Sequence, residues 1–147
     1  MRTAYKVLAW LVAIEVVAQA AFIAWAVFGE SKFIDGGGVV DKALVESQTA
    51  DFEGVAGFPL HGINGQIVVP LIGLLLLVVA FFAKIERGVA LAASTFGLIV
   101  LQVLLGMFGH GLPFLGLLHG LNALLIFGAA VAAVRAASAV SADRVVA

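Results

Sequence analysis

The chain has 147 residues, 63% of them hydrophobic and 12% charged, with a mean hydropathy of +1.18. Soluble domains carry about 25% charged residues, so the composition excludes an ordinary water-soluble domain and indicates an integral membrane protein in a lipid bilayer. A net charge of −1 gives no basic field for nucleic acid, and the absence of cysteine excludes disulfides, thiolate metal sites, iron–sulfur clusters and covalently attached c-type haem.

Four apolar runs, at 7–28, 60–83, 88–109 and 112–134, are each near the ~20 residues needed to cross a hydrocarbon core. They predict one all-α integral membrane domain over 1–147, an up-down four-helix transmembrane bundle with an outer loop at 29–59. Arg2, Lys6, Lys84, Arg87, Arg135 and Arg144 fall on one side of it, with Lys32 and Lys42 opposite. That asymmetry predicts both termini in the cytoplasm.

The first span carries Trp10 and Trp25 as interface anchors, with Glu15 and Gln19 between them at i, i+4. Arg2, Lys6 and the Ala18-Gln19-Ala20 word imitate a signal peptide, but the apolar run continues to Phe28 and contains Glu15, which favours a retained span. Glu15 reads either as a proton relay or quinone contact, or as a carboxyl group hydrogen-bonded across helices. The loop that follows is acidic, with Glu30, Asp35, Asp41, Glu46, Asp51 and Glu53, and contains the run Gly36-Gly37-Gly38. Within it, Val39 to Gln48 predicts a short amphipathic helix over the bundle mouth, with Val40 and Leu44 on one face. Its charges fit docking of a partner or simple solvation.

Pro59 suits the first turn of the second span, which then presents His61, Gly62, Asn64, Gly65 and Gln66. Pro70 is expected to kink this helix, because it removes a backbone donor. The third span holds Ser94, Thr95 and Gln102 and ends near His110. Pro113 opens the fourth, where Gly116 and Gly120 form a Gly-x-x-x-Gly pair that admits another helix, as in a homo-oligomer, or a flat ligand.

His61-Gly62-Ile63-Asn64 has a near-copy in His119-Gly120-Leu121-Asn122, and Gln19 and Gln102 precede the two copies on the spans before them. The chain therefore reads as a duplicated helical hairpin. Spans two and four run in the same direction and lie diagonally opposite in an up-down bundle, so His61 and His119 are expected to face each other at similar depth. That is the arrangement of a bis-histidine haem, held without covalent attachment, as in a b-type centre. Gly62, Gly65, Gly116, Gly120 and Ala123 would make room for the porphyrin. Gln19, Gln102, Asn64 and Asn122 are candidate partners for imidazoles or propionates. Two other readings stay open: a zinc or copper ion on His61, His110 and His119, and structural histidines satisfied by hydrogen bonds.

His110 has no counterpart in the repeat and lies beside the outer turn, so it is expected to be an interface or propionate contact. His119 lies about 9 Å down its helix from Pro113. His61 follows Pro59 by two residues, so equal depth requires its helix to start before Pro59 or the outer loop to cover it. All three histidines fall in the outer half, so electrons would need a quinone or a redox partner subunit to complete a route across the membrane.

Over nearly its whole length the chain resembles a domain-of-unknown-function family of small bacterial four-span membrane proteins. The matching residues are Gln19, His61, Leu101-Gln102 and Leu118-His119 through Leu124. More distantly it is similar to one four-helix half of haem A synthase, which places axial histidines on its second and fourth helices. His61 and His119, 58 residues apart, match that pattern. The resemblance implies a bacterial plasma-membrane protein that binds haem. No carboxylate lies one turn before His61, where that enzyme family has a catalytic Glu, so it supports haem binding more than haem modification.

Overall fold

The structure, a computed structural model, describes residues 1–142, and Arg144 lies outside the described residues. The described chain is all-α: α1 (Arg2–Asp35), α2 (Lys42–Ser47), α3 (Gly57–Ile63), a π-helical turn (Asn64–Val68), α4 (Val69–Ala83), α5 (Gly88–Gly109) and α6 (Pro113–Ala142). Four helical segments are long and apolar enough to cross a membrane: Arg2–Asp35, Gly57–Ala83, Gly88–Gly109 and Pro113–Ala139. Their outward faces are apolar, with exposed Leu71, Leu74, Val78 and Phe82 on α4 and Leu117, Leu121, Leu124 and Leu125 on α6. Such continuous apolar surface is stable against lipid tails and unstable against water.

Two compact units can be distinguished, one made of Met1–Val16 with the chain from Gln66 onward, the other of Val17–Gly65. In the first, α5 packs against both α4 and α6. Its core joins four helices through Ala9, Val12 and Ala13, Leu76 and Ala80, Ala92 and Ile99, and Ile126, Ala130 and Ala133. So many buried alanines let helix backbones approach closely, which matters in a membrane, where lipid removes the hydrophobic drive for helix association and dispersion must replace it.

The turn between α4 and α5 has Lys84 and Arg87 in the left-handed region, at φ 52° and 57°. For residues with a Cβ this costs about 1–2 kcal/mol each. The start of α1 offsets it. Arg2 donates to the Lys84 carbonyl at 3.0 Å and to the Ala83 carbonyl at 3.4 Å, and the buried Tyr5 hydroxyl donates to the Gly88 carbonyl at 3.0 Å. These bonds satisfy carbonyls at the end of α4 and the start of α5, and they bring Arg2, Lys84 and Arg87 to one end of this unit.

In the second unit, α1 continues past the expected end at Phe28 to Asp35 and stops where Gly37 takes φ +92°. Asp41 caps α2 by accepting from the Leu44 N–H at 2.8 Å, but α2 is shorter than expected and buries no residue. It therefore does not have the amphipathic packing foreseen for Val39 to Gln48. Residues 51–57 lie against the C-terminal part of α1. Lys32 pairs with Glu53 at 2.7 Å, and the Phe33 and Phe52 rings stack at 5.3 Å. Gly57 meets the Phe22 carbonyl so closely that a Cβ would collide with it. Glycine at this point lets α3 start against α1, two residues before Pro59.

Pro70 lies where the helix changes form. The π-helical turn Asn64–Val68 immediately precedes it, and Pro70 then sits in the first turn of α4, where a missing N–H is tolerated. The wide turn isolates the defect that proline creates in the backbone ladder.

Candidate functional site

The two copies of the repeated word make the same contacts. In the first, His61 Nδ1 lies 3.0 Å from the backbone carbonyl of Gln19; in the second, His119 Nδ1 lies 3.0 Å from the backbone carbonyl of Gln102. In each, the asparagine one turn beyond the histidine reaches the side chain of the same glutamine. Asn122 Nδ2 donates to Gln102 Oε1 at 2.7 Å and to the Leu98 carbonyl at 2.9 Å. The Gln19 amide is oriented by its neighbours. With its nitrogen toward the ring, that nitrogen donates to the His61 carbonyl at 2.9 Å, while the oxygen accepts from Asn64 Nδ2 at 2.8 Å and from the Gly65 N–H at 3.2 Å.

At His119 the carbonyl contact fixes the tautomer. A backbone carbonyl only accepts, and a helix carbonyl has a second lone pair to offer, so Nδ1 carries the proton and Nε2 the lone pair. At His61 the Gln19 amide nitrogen also comes within 2.8 Å of Nδ1. Two donors cannot bond each other. The ring nitrogen therefore bonds only one of its two neighbours: as a donor it bonds the carbonyl at 3.0 Å, as an acceptor it bonds the amide at 2.8 Å. An imidazole held through Nδ1–H to a carbonyl, with its lone pair on Nε2, is the arrangement that orients metal-ligating histidines.

Small residues shape both sites. A Cβ at Gly106 would stand 3.2 Å from His119 Cε1, and one at Gly65 would stand 3.1 Å from the Gln19 side-chain amide. Gly106, one turn beyond Gln102, is the site residue that the sequence reading missed. Its signal is that i+4 relation, hidden because glycine in an apolar span also reads as a helix-packing residue. Gly116 and Gly120 face open space, since a Cβ at either meets nothing within 4 Å. Gly62 is half-buried beside His61, and His110 is exposed in the turn before α6.

Asn122 is 4% exposed, and its Oδ1 has no hydrogen-bond partner among the described residues. Also among the described residues, no group of three or more His, Asp or Glu side chains converges to hold a metal ion. A haem, whose porphyrin supplies four nitrogens, asks a protein for no more than two imidazoles. No family model matches the chain, and no curated protein or solved structure matches it.

Proposed function

We propose that the protein is a bis-histidine haem protein of the bacterial plasma membrane, with both termini cytoplasmic, acting in electron transfer or another redox process near the outer face. His61 and His119 would be the two residues that hold the iron of a b-type haem. The observation that carries this reading is the duplicated 3.0 Å contact of each histidine Nδ1 with a glutamine carbonyl, which holds the two imidazoles in matching ways in the two copies of the repeat. When bound, haem would supply a one-electron centre. Gln19 and Gln102 would hold the imidazole tautomers, Asn64 and Asn122 would fix the glutamines, and the apolar helices would exclude water. Gly116 and Gly120 offer an unobstructed flank beside His119, suited to the porphyrin or to a second copy of the chain. A quinone or a redox partner subunit would complete the electron route.

The same bonds favour a second reading, that of a structural or transport-associated subunit in which the histidines tie helices together and need nothing more. A haem-modifying activity lacks the carboxylate one turn before His61. Visible spectra of the purified protein and three variants separate these readings. Under the haem reading, His61→Ala and His119→Ala each lose the low-spin six-coordinate spectrum, while His110→Ala keeps it. A preparation from haem-replete cells with no Soret band, before or after adding haemin, establishes the structural reading.

A further inference from the structure

One end of the unit that contains α4, α5 and α6 is strongly basic. Arg2 reaches the Ala83 and Lys84 carbonyls and the Tyr5 hydroxyl bonds the Gly88 carbonyl, so Arg2 and Lys6 join Lys84 and Arg87 there. Arg135 arrives on α6: it lies about 20 Å along that helix from Asn122, whose side chain bonds the Leu98 carbonyl, and Arg87 lies about 16 Å back along α5 from Leu98. Lys6, Lys84, Arg87 and Arg135 are exposed, and Glu86 is the one carboxylate in the α4–α5 turn. That turn is a costly place for two cations. Lys84 and Arg87 both take left-handed backbone, where glycine or asparagine is less strained. Arg87 also stands at the start of α5 with no side-chain capping bond, where the positive end of the helix dipole opposes a cation. Folding alone does not favour this pair of residues here.

We propose that the α4–α5 turn binds an anionic phospholipid, with Lys84 and Arg87 on the headgroup phosphate and Arg2 holding the turn in shape through its two carbonyl bonds. A guanidinium fork and an ammonium point charge both recognise phosphate. The surroundings of the turn specify a lipid rather than a soluble anion. Phe81 and Phe82, each 65% exposed, come just before Lys84, and the exposed Val89 comes just after Arg87. The two charges therefore border apolar surface on both helices, and a lipid with its phosphate at the turn has its acyl chains beside that surface. A basic residue near an anionic membrane surface strengthens binding about fivefold, so Lys84 and Arg87 together contribute about thirtyfold. The site lies within one compact unit and is independent of what His61 and His119 hold.

The test is native mass spectrometry of the full-length protein in detergent, titrated with phosphatidylglycerol or with phosphatidylcholine of the same acyl chains. Wild type should retain phosphatidylglycerol in preference. The double variant Lys84→Asn, Arg87→Asn keeps residues that tolerate left-handed backbone, and it should bind phosphatidylglycerol about thirtyfold more weakly. Lys84→Gly with Arg87→Gly relieves the backbone further, so it should show the same loss while unfolding in phosphatidylcholine at or above the wild-type temperature. Lys6→Gln with Arg135→Gln removes the same charge from the same end and should bind nearly as wild type does. The proposal is overturned if wild type does not distinguish the two lipids, or if the Lys6 and Arg135 pair weakens binding as much as the Lys84 and Arg87 pair, which is the behaviour of diffuse charge. It is overturned equally if glycerol 3-phosphate, a headgroup without acyl chains, displaces the lipid at equal concentration.

Discussion

Gly106 is the position at which one methyl group separates the site from the fold. A Cβ there would stand 3.2 Å from His119 Cε1 and 3.3 Å from Nδ1, inside the roughly 3.5–4.0 Å at which carbon atoms rest against each other. The ring must retreat by a few tenths of an ångström. Its bond to the Gln102 carbonyl, now 3.0 Å, then stretches toward the edge of the useful range at about 3.2 Å. A hydrogen bond between membrane helices is worth about 0.6 kcal/mol on average and about 1.7 at most. Replacing glycine by alanine inside a helix returns about 0.8–1.0 kcal/mol. The two terms nearly cancel, so Gly106→Ala should leave global stability within about 1 kcal/mol of wild type while changing the environment of the His119 ring.

Two measurements on the same detergent-solubilised variant check this: thermal unfolding for the fold, and nitrogen NMR of histidine-labelled protein for the Nδ1 and Nε2 resonances of His119. The reasoning is refuted if Gly106→Ala loses more than about 3 kcal/mol, the scale of overpacking in a core that cannot give way. It is refuted equally if the variant is stable and the His119 resonances do not move, because the ring then does not rest where the glycine is.

Tyr5 is fully buried and its hydroxyl donates to the Gly88 carbonyl, so Tyr5→Phe should cost about 1 kcal/mol in unfolding experiments, with the apolar ring retained. Lys32, bonded to Glu53 at 2.7 Å, holds the Glu53 carboxyl below the usual carboxylate range. Because that value is lowered in the folded chain, any contribution of the ion pair is present above the ordinary glutamate range and is lost as pH falls through the lowered one. An NMR titration of Glu53 should show the depressed value, and Lys32→Ala should restore the ordinary one, with high salt weakening the effect because the pair is exposed. For orientation, a cysteine at Ser31 or Ser47 should be labelled from outside the cell, and labelling only from the cytoplasmic face would reverse the assignment.

The sequence was most legible where side-chain identity carries the physics. The third span was read with its final bounds, Gly88–Gly109, because glycines flank a predominantly apolar run of helix-forming residues. Hydropathy under-read α1, because an α-helix needs lipid for its apolar surface but not for its backbone ladder. Past Phe28 the ladder continues in polar sequence until Gly37 adopts a conformation that favours glycine. The Gln, His and Asn positions were legible because they recur in register, and each half brings its three together.

What escaped the sequence was carried by backbone. The acceptors of both histidines are main-chain carbonyls, and any residue has one, so no side-chain pattern could single out those at 19 and 102. Pro70 announced a defect in the ladder without stating its form: a missing N–H can be met by a bend, a break or a wider turn, and the chain adopts the wider turn. That choice is what distinguishes the halves. A duplicated word predicts two equivalent histidines, and their side-chain contacts are nearly equivalent. A single proline nine residues after His61, with no counterpart after His119, leaves one of them just before a π-helical turn and the other within a continuous α-helix.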